Sequence, residues 1–229
     1  MIKQIVSFSG GKDSTAMLLR LIELNKKPDE VVFADTKLEF LEIYERVEKM
    51  KVLCEKEGIT FFWLKTKQNF DDWFYGIPLR GESGKRGLIR GFPLTLFPCW
   101  WSRESKFKVL DSFCKNKIRI LGIAKDEPKR IRKKEGYKYP LVEWGWSEKK
   151  CVDYLKKKGW FMEIDNRFRR TGCYLCPKQN KDSLRVLYQN YPKLWDKLKK
   201  YEKDSPQGFK PNFKLNEIEK KWANQTKLK

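Results

Sequence analysis

Histidine is entirely absent from this chain of 229 residues. Without an imidazole, Ser-His-Asp triads, zinc enzymes with histidine ligands and histidine acid–base chemistry are excluded as explanations of its function. No uninterrupted apolar run approaches the roughly 20 residues that a membrane helix needs, and this excludes an integral membrane protein. The sequence also begins without an apolar signal segment, so we expect a cytoplasmic protein with no membrane partner.

Acidic residues are few relative to basic ones. Lysine and arginine together number 51, aspartate and glutamate 30, and the formal net charge is +21. Such an excess predicts attraction to polyanions and carries no information about the fold. Hydrophobic residues make up 40% of the chain and aromatic residues 14%, which is enough to build a core. At about 100–200 residues per domain, the length predicts one domain, alone or with a small appendage.

Strand-like and helix-like segments alternate through the first half of the chain. The predicted strands are Ile2–Phe8, Val31–Asp35, Ile59–Leu64 and Ile118–Ile123, and the predicted helices are Ser14–Asn25, Leu38–Glu57 and Ser102–Asn116. This alternation is typical of an α/β fold with an open parallel sheet and helices on both faces. Ligands of such sheets bind beyond the carboxyl ends of the strands.

Two segments depart from the alternation. Lys67–Pro98 is rich in glycine and carries Arg80, Lys85, Arg86 and Arg90, so we expect a long mobile basic loop, and loops of that length are usually functional or disordered. From Pro177 onward the pattern becomes amphipathic and helical, with many lysines. We therefore expect a nucleotide-binding α/β domain over residues 1–176 and a basic helical extension over residues 177–229.

A phosphate-binding loop is predicted between the first strand and the first helix, at Ser9-Gly10-Gly11-Lys12-Asp13-Ser14. Two glycines allow a sharp turn and a close approach of backbone N–H groups to an anion. The helix N-terminus adds unpaired donors and a positive dipole end. Lys12 adds a charge, and Asp13 either holds a magnesium ion or orients the loop. The simpler interpretation is a Gly-Gly turn with Asp13 or Ser14 as a helix cap.

This loop resembles the PP-loop of the N-type ATP pyrophosphatases. Three further segments are similar to the phosphoadenosine-phosphosulfate (PAPS) reductase-like branch of that superfamily. They are Phe33–Thr36 with Glu39 and Phe40, Leu121–Ile123 with Asp126, Glu127 and Arg130, and Tyr139–Leu141 through Trp144 to Gly172–Pro177. The resemblance covers about residues 1–195 and implies an adenine nucleotide alpha hydrolase-like fold that binds ATP and Mg²⁺.

The resemblance also implies which residues form the nucleotide site. The implied binding residues are Ser7, Ser9, Gly10, Gly11, Lys12, Asp13, Ser14, Asp35, Thr36, Gly122 and Glu127, and the implied catalytic residues are Lys12, Asp13 and Arg130. Asp35 and Thr36 would lie near the adenosine, although Asp35 is also a candidate helix cap. The sequence departs from the family at Ala124, where relatives often carry an arginine.

Six cysteines in a chain without a signal segment indicate reduced thiols. Cys173 and Cys176 form a CxxC motif followed by proline, a spacing suited to a metal or cluster. Free thiols or a redox dithiol are the alternative. Cys54 and Cys114 lie on the apolar stripes of predicted helices, so we expect them in the core.

Related adenosine-phosphosulfate (APS) reductases hold a four-iron four-sulfur cluster with an adjacent cysteine pair and a distant CxxC. Here Cys99 matches the first cysteine of the pair, and Trp100 occupies the place of the second. The resemblance therefore implies an iron–sulfur cluster on Cys99, Cys173 and Cys176. Either one iron stays open to bind a sulfide for transfer, or Cys151 closes the set. Zinc is the alternative metal.

The first functional hypothesis is an ATP-consuming sulfurtransferase that acts on nucleic acid, either tRNA or DNA. ATP would adenylate the target, with Lys12, magnesium and Arg130 neutralising charge. The sulfur would come from a donor such as sulfide or a cysteine desulfurase. Assembly into a homodimer is left open by the sequence. The basic segments Arg80–Arg90 and Lys125–Lys138 suit a polyanion. Base stacking or core packing is expected of four tryptophans, namely Trp100, Trp101, Trp144 and Trp146.

Two other hypotheses remain. A sulfonucleotide (PAPS or APS) reductase fits the branch name, but no cysteine follows Cys176, whereas assimilatory reductases use one in a late Glu-Cys-Gly motif. A nucleotide-dependent nucleic-acid-binding module without catalysis would not need Lys12, Asp13 and Ser14 together.

Overall fold

The computed structural model describes residues 2–76, 89–131 and 134–227. Its contacts group the chain into two compact units. The first unit consists of Met1–Asp35, Glu39–Lys65 and Ser105–Thr171, and the second of Thr36–Leu38, Thr66–Glu104 and Gly172–Lys229. The second unit therefore contains the predicted carboxy-terminal extension together with two earlier segments.

The first unit is built on a parallel sheet. Its strands are β1 (Gln4–Phe8), β2 (Glu30–Asp35), β3 (Thr60–Lys65), β4 (Ile118–Leu121) and β5 (Tyr137–Lys138), and their order across the sheet is β3-β2-β1-β4-β5. Val6 of β1 pairs with Val31 of β2 on one side and with Ile120 of β4 on the other. The predicted α/β class and parallel sheet are confirmed; β5, with only two residues, was not predicted.

The helices, in chain order, are α1 (Lys12–Glu23), α2 (Leu41–Lys56), α3 (Phe70–Gly76), α4 (Trp100–Ser102), α5 (Lys108–Phe113), α6 (Pro140–Glu143), α7 (Glu148–Lys157), α8 (Ile164–Arg167), α9 (Lys181–Asn190), α10 (Pro192–Asp204) and α11 (Leu215–Lys227). A π-helical segment, Arg103–Phe107, joins α4 to α5. Among the described residues, no helix combines the length and apolar character that crossing a membrane requires.

Every residue of β2 is buried, because both faces of a parallel sheet are covered by helices. One part of the core lies between the sheet and α5, where Ile5 and Val32 pack against Leu110 and Cys114. Cys54 is also fully buried in α2. Both cysteines expected in the core are therefore found there.

The strand order places two connections side by side. The chain leaves β1 toward α1 and leaves β4 toward Gly122 and Glu127, and β1 and β4 are hydrogen-bonded neighbours. In open α/β sheets, ligands bind at such a point, beyond the carboxyl ends of adjacent strands. The fold therefore presents the loop Ser9–Ser14 and the segment after β4 to the same edge.

The second unit has an aromatic core. Phe70 and Phe74 of α3 pack on Phe92 and on Tyr201 of α10. The prediction of a long mobile loop over residues 67–98 was therefore wrong for α3 and for the buried Phe92. Its central part, which includes Arg80, Lys85 and Arg86, lies outside the described residues. The carboxy-terminal helices are present as predicted, and α10 shares this core.

Candidate functional site

The loop Ser9–Ser14 has the shape of an anion-binding turn. Gly10 adopts a φ of +72°, and a Cβ at this position would lie 2.7 Å from Ile43 Cγ2. Glycine is therefore required there for both conformation and space. The Ser9 and Ser14 hydroxyls lie 3.0 Å apart, and Ser14 Oγ donates to the Gly11 carbonyl at 3.0 Å.

The first turn of α1 is left open. Gly11 is the N-cap residue, and no side-chain hydrogen bond caps this helix among the described residues. The interpretation of Asp13 or Ser14 as a helix cap was therefore wrong. Unpaired N–H groups at the end of a 12-residue helix form a favourable site for a phosphate.

Gly122 explains how β4 closes against this turn. A Cβ on Gly122 would lie 2.6 Å from Ser14 Cα and 2.8 Å from Ser14 N. Real contacts of this kind do not occur below 3.0 Å, so any side chain would push α1 away. The residue following β4 thus packs directly against the phosphate-binding turn.

Acidic side chains surround Lys12. Its ammonium lies 2.8 Å from Glu148 Oε2 and donates to the Arg169 carbonyl at 3.1 Å. Asp13, Glu127 and Glu148 each offer a carboxylate oxygen, and these three oxygens lie within 4.8 Å of one another. We call these three residues the acidic trio. Glu148 was not predicted, because nothing in the sequence near it signals a pairing with Lys12.

The surroundings of the acidic trio shift the pKa values of Asp13 and Glu127 in opposite directions. Burial, together with the nearby Glu148 and Glu127, raises the pKa of Asp13 from 3.8 to about 6. Burial also opposes ionisation of Glu127, but its ion pairs with Arg170 and Arg130 hold its pKa below the usual value. Asp13 Oδ1 is buried without a hydrogen-bond partner.

The acidic trio fits a magnesium ion. Mg²⁺ prefers carboxylate oxygens, and the unpartnered oxygen of Asp13 is available as a ligand. Arg130, predicted as catalytic, is exposed and pairs with Glu127. Arg170 was not predicted, and it binds the other oxygen of the same carboxylate.

A buried ion pair between Arg46 and Asp165 supports the loop Ser9–Ser14. Arg46 of α2 is fully buried and donates through Nη1 to the Gly10 carbonyl at 2.9 Å and to Asp165 Oδ1 at 3.1 Å. Asp165 also accepts from the Met162 amide at 3.2 Å. This pair was missed, although an arginine inside the apolar stripe of α2 was a visible signal of a buried charge.

The predicted adenosine residues have structural partners. The Asp35 carboxylate accepts hydrogen bonds from the Tyr44 hydroxyl at 2.9 Å and the Trp63 indole at 3.1 Å. Thr36 is buried, and its hydroxyl accepts from the Leu38 amide at 3.3 Å. A further predicted residue, Ser7, has its hydroxyl beside the Cys114 thiol. Contact of these residues with a nucleotide stays a prediction.

Cys99, Cys173 and Cys176 belong to the second unit. A hydrogen bond from Cys173 lowers the pKa of Cys176 to about 7, against the effect of burial. Cys99 is close enough for the charge of Cys176 to act on it, and burial raises its pKa. Cys99 Sγ also accepts from the Ser102 amide at 3.4 Å as the N-cap of α4. The structure thus brings the three predicted thiols into one neighbourhood.

The spacing of these thiols bears on what they hold. In the part of the chain that the structure describes, the acidic trio is the group whose ligand atoms converge within 4.8 Å, and the three sulfurs do not all lie that close to one another. Tetrahedral zinc with bonds of about 2.3 Å needs sulfurs roughly 3.8 Å apart. A polynuclear cluster does not need that separation, because its ligands bind different irons.

Cys151, considered as a fourth ligand, has a different environment. It lies in α7 of the first unit and is fully buried, with its thiol near the Asp13 carboxylate. Burial and this carboxylate raise its pKa far above the usual range. Completion of the cysteine set by Cys151 stays a prediction.

The four tryptophans considered for base stacking differ in burial. Trp101 is 2% exposed and donates to the Thr36 carbonyl at 3.1 Å, so it is a core residue. Trp100 is stacked on Phe70, with ring centroids 5.3 Å apart. Trp144 and Trp146 are half-buried and in mutual contact at 5.7 Å. Stacking on bases is therefore excluded for Trp101.

Comparison with known proteins gives a family model that matches part of the chain and two distant relatives. Residues 3–71 match the phosphoadenosine phosphosulfate reductase domain. The uncharacterized protein MJ0066 of Methanocaldococcus jannaschii is 28% identical over 212 residues, which cover 84% of this chain and 40% of that protein. MJ0973 of the same organism is also 28% identical, over 97% of this chain and 54% of that protein. The chain thus spans about half the length of these relatives, or less.

A solved structure is also similar. It is the U34-tRNA thiolase NcsA from Methanococcus maripaludis with its [4Fe-4S] cluster, at 17% identity and a TM-score of 0.45. The alignment covers 88% of this chain and 71% of that one. The matched family segment contains the loop Ser9–Ser14 and the strand ending at Asp35. The match agrees with the resemblance to the PAPS reductase-like branch expected from the sequence, over residues 3–71.

Proposed function

We propose that this protein is an ATP-dependent sulfurtransferase that acts on nucleic acid. In the proposed reaction, an oxygen of the substrate attacks the α-phosphate of ATP, and pyrophosphate leaves. A sulfur nucleophile then replaces that oxygen, and AMP leaves with it. The observation that carries the proposal is the open N-terminus of α1 with Lys12 and the acidic trio around it.

The chain's own groups suit the first step. The unpaired amides of α1 would bind the leaving pyrophosphate, and Lys12 would exchange its pairing with Glu148 for a phosphate oxygen. Three carboxylates next to a polyphosphate repel it, so the arrangement requires a cation between them. Magnesium held by Asp13, Glu127 and Glu148 would supply that positive charge.

The second unit would supply the sulfur. A cluster bound by Cys99, Cys173 and Cys176 would offer an iron without a protein ligand for the sulfur that is transferred. The lowered pKa of Cys176 favours its thiolate, which is the form that binds metals. The chain would hold the cluster in place through these thiolates and the amide of Ser102.

Charge supports a nucleic-acid substrate. The net charge is +21, and Lys125, Lys129, Lys134 and Lys138 are exposed around β5. Arg132 and Lys133, in the same predicted basic run, lie outside the described residues. Polyanions bind such surfaces through release of their counterions.

The test uses anaerobically prepared protein with ATP, Mg²⁺, labelled sulfide and single-stranded RNA or DNA. Labelled sulfur should enter the nucleic acid, and the protein should contain iron and sulfide. Lys12→Ala should lose sulfur transfer and keep its iron, because Lys12 belongs to the first unit and the three thiols to the second. Colourless protein with stoichiometric zinc would contradict the sulfur-transfer step and leave the nucleotide site standing.

A sulfonucleotide reductase is the second candidate, favoured by the match of residues 3–71 to the PAPS reductase domain. The same loop would then hold a phosphate of PAPS or APS. Release of sulfite from these compounds with a thiol reductant, in the absence of ATP, would select this reaction instead.

A further inference from the structure

A basic pocket lies immediately after the CxxC motif in the second unit. It has a volume of about 470 Å³. One wall is the segment 177–181, which leads into α9, and the other is the turn 210–213. Lys210 and Phe213 form an antiparallel bridge that closes this turn, and Lys210 Nζ donates to the Gln179 carbonyl. The two walls are therefore tied together by a hydrogen bond.

The charges in this pocket have a single sign. Lys178, Lys181 and Lys210 line it, and no acidic residue does so among the described residues. The ammonium groups of Lys181 and Lys210 each lie 5.7 Å from the centroid of the Phe213 ring. None of the three lysines forms an ion pair with a described carboxylate, so their mutual repulsion is not offset within that part of the protein.

Two further features favour an anion. The helix α9 begins at Lys181, so the positive end of a 10-residue helix adds to the charge of the pocket. Thr95 and Asn212 add hydrogen-bonding side chains to the lining, whereas Asn180 caps α9 by accepting from the Ser183 amide at 2.8 Å. Lysines converging on a helix N-terminus resemble the arrangement by which proteins bind phosphate.

We propose that the pocket lined by Lys178, Lys181 and Lys210 binds a backbone phosphate of the nucleic-acid strand. This inference rests on the proposed function and adds a subsite to it. Lys178 follows Cys176 by two residues, and the charges of Lys178 and Lys210 act on the Cys176 thiol. A phosphate held here would therefore keep the strand beside the cysteines that handle the sulfur.

Lys181→Gln is the informative variant, because Lys181 is exposed and makes no hydrogen bond that holds the two walls together. Lys193→Gln is the matched control, since it removes the same charge from an exposed position on α10. The measurement is the dissociation constant of the full protein for a single-stranded 20-nucleotide RNA or DNA as a function of salt concentration.

We expect Lys181→Gln to weaken binding by about three- to tenfold and to reduce the slope of log K against log salt by about 0.7, the value for one phosphate contact of a single strand. Lys193→Gln should leave the slope unchanged. Equal slopes in both variants would overturn the subsite while the proposed function stands. Absence of any nucleic-acid binding by the unaltered protein would overturn both.

A calorimetric titration with inorganic phosphate separates the two sources of such an anion. Free phosphate should bind weakly, and binding of the oligonucleotide should displace it. Phosphate binding that depends on Lys181, combined with oligonucleotide binding that does not, would assign the pocket to a free anion and overturn the proposal.

Discussion

Replacing Asp13 by asparagine is expected to stabilise the folded protein at neutral pH while removing a ligand of the proposed magnesium site. Burial and the neighbouring Glu148 and Glu127 raise the pKa of Asp13 from 3.8 to about 6. At about 1.4 kcal/mol per pKa unit, keeping Asp13 ionised costs about 3 kcal/mol at pH 8. Asparagine resembles the protonated carboxyl group and avoids that cost.

The pH dependence has a definite sign. Below pH 3.8 Asp13 is protonated in both the folded and unfolded states, and its ionisation has no effect on stability. Between pH 3.8 and about 6 the unfolded chain loses the proton first, so the folded state loses stability as the pH rises. The difference between Asp13→Asn and the unaltered protein should therefore grow over this interval and level off above it.

Chemical denaturation at several pH values, without divalent cations, measures this difference. Asp153→Asn is the control, because Asp153 is exposed on α7 and the charge change is the same. Magnesium should stabilise the unaltered protein at pH 8 and have little effect on Asp13→Asn. A variant at Asp13 that is less stable at pH 8, or that gains as much from magnesium, would refute the electrostatic reasoning.

Three other perturbations test separate parts of the structure. Gly122→Ala should displace the first turn of α1, which a Cβ would approach to 2.6 Å; we expect the free energy of unfolding to fall by about 1–3 kcal/mol and ATP binding to weaken. Gly76→Ala should preserve ATP binding, because no described atom lies within 4 Å of a Cβ at that position. Arg46→Met leaves the buried Asp165 carboxylate without its ion pair and should lower the free energy of unfolding by about 3–5 kcal/mol. Arg20→Met, at an exposed ion pair, should lower it by at most about 1 kcal/mol. Similar losses in the two variants would show that the buried ion pair is unimportant for stability. In iron-free protein at pH 7, iodoacetamide should alkylate Cys176 before the other thiols, since its pKa is about 7; mass spectrometry showing uniform labelling would contradict this.

Much of the first unit follows from local patterns. The run Val31–Asp35 is apolar because both faces of its strand are covered, and the pattern of residues is enough to place it. The glycines of the phosphate-binding turn signal a backbone conformation that other residues rarely adopt. Because this turn lies between a strand and the N-terminus of a helix, the sequence also predicts that it binds phosphate.

The parts that were missed depend on contacts between distant residues. Glu148 pairs with Lys12, and Arg170 with Glu127, but neither residue carries a local signal of its partner. The helix α3 was hidden within a segment whose glycines and basic residues indicated a loop, although the spacing of Phe70 and Phe74 is helical. Tertiary packing of those rings decides the structure there.

Product analysis tests the central claim most directly. ATP labelled on the base and at the γ-phosphate is incubated with the anaerobically prepared protein, magnesium, sulfide and single-stranded nucleic acid, and its products are separated. The proposed reaction yields AMP and pyrophosphate in equal amounts, matched by thiolated nucleotide, and neither product forms with Lys12→Ala. Formation of ADP and phosphate, or sulfur transfer without ATP consumption, would contradict pyrophosphate release at the loop Ser9–Ser14.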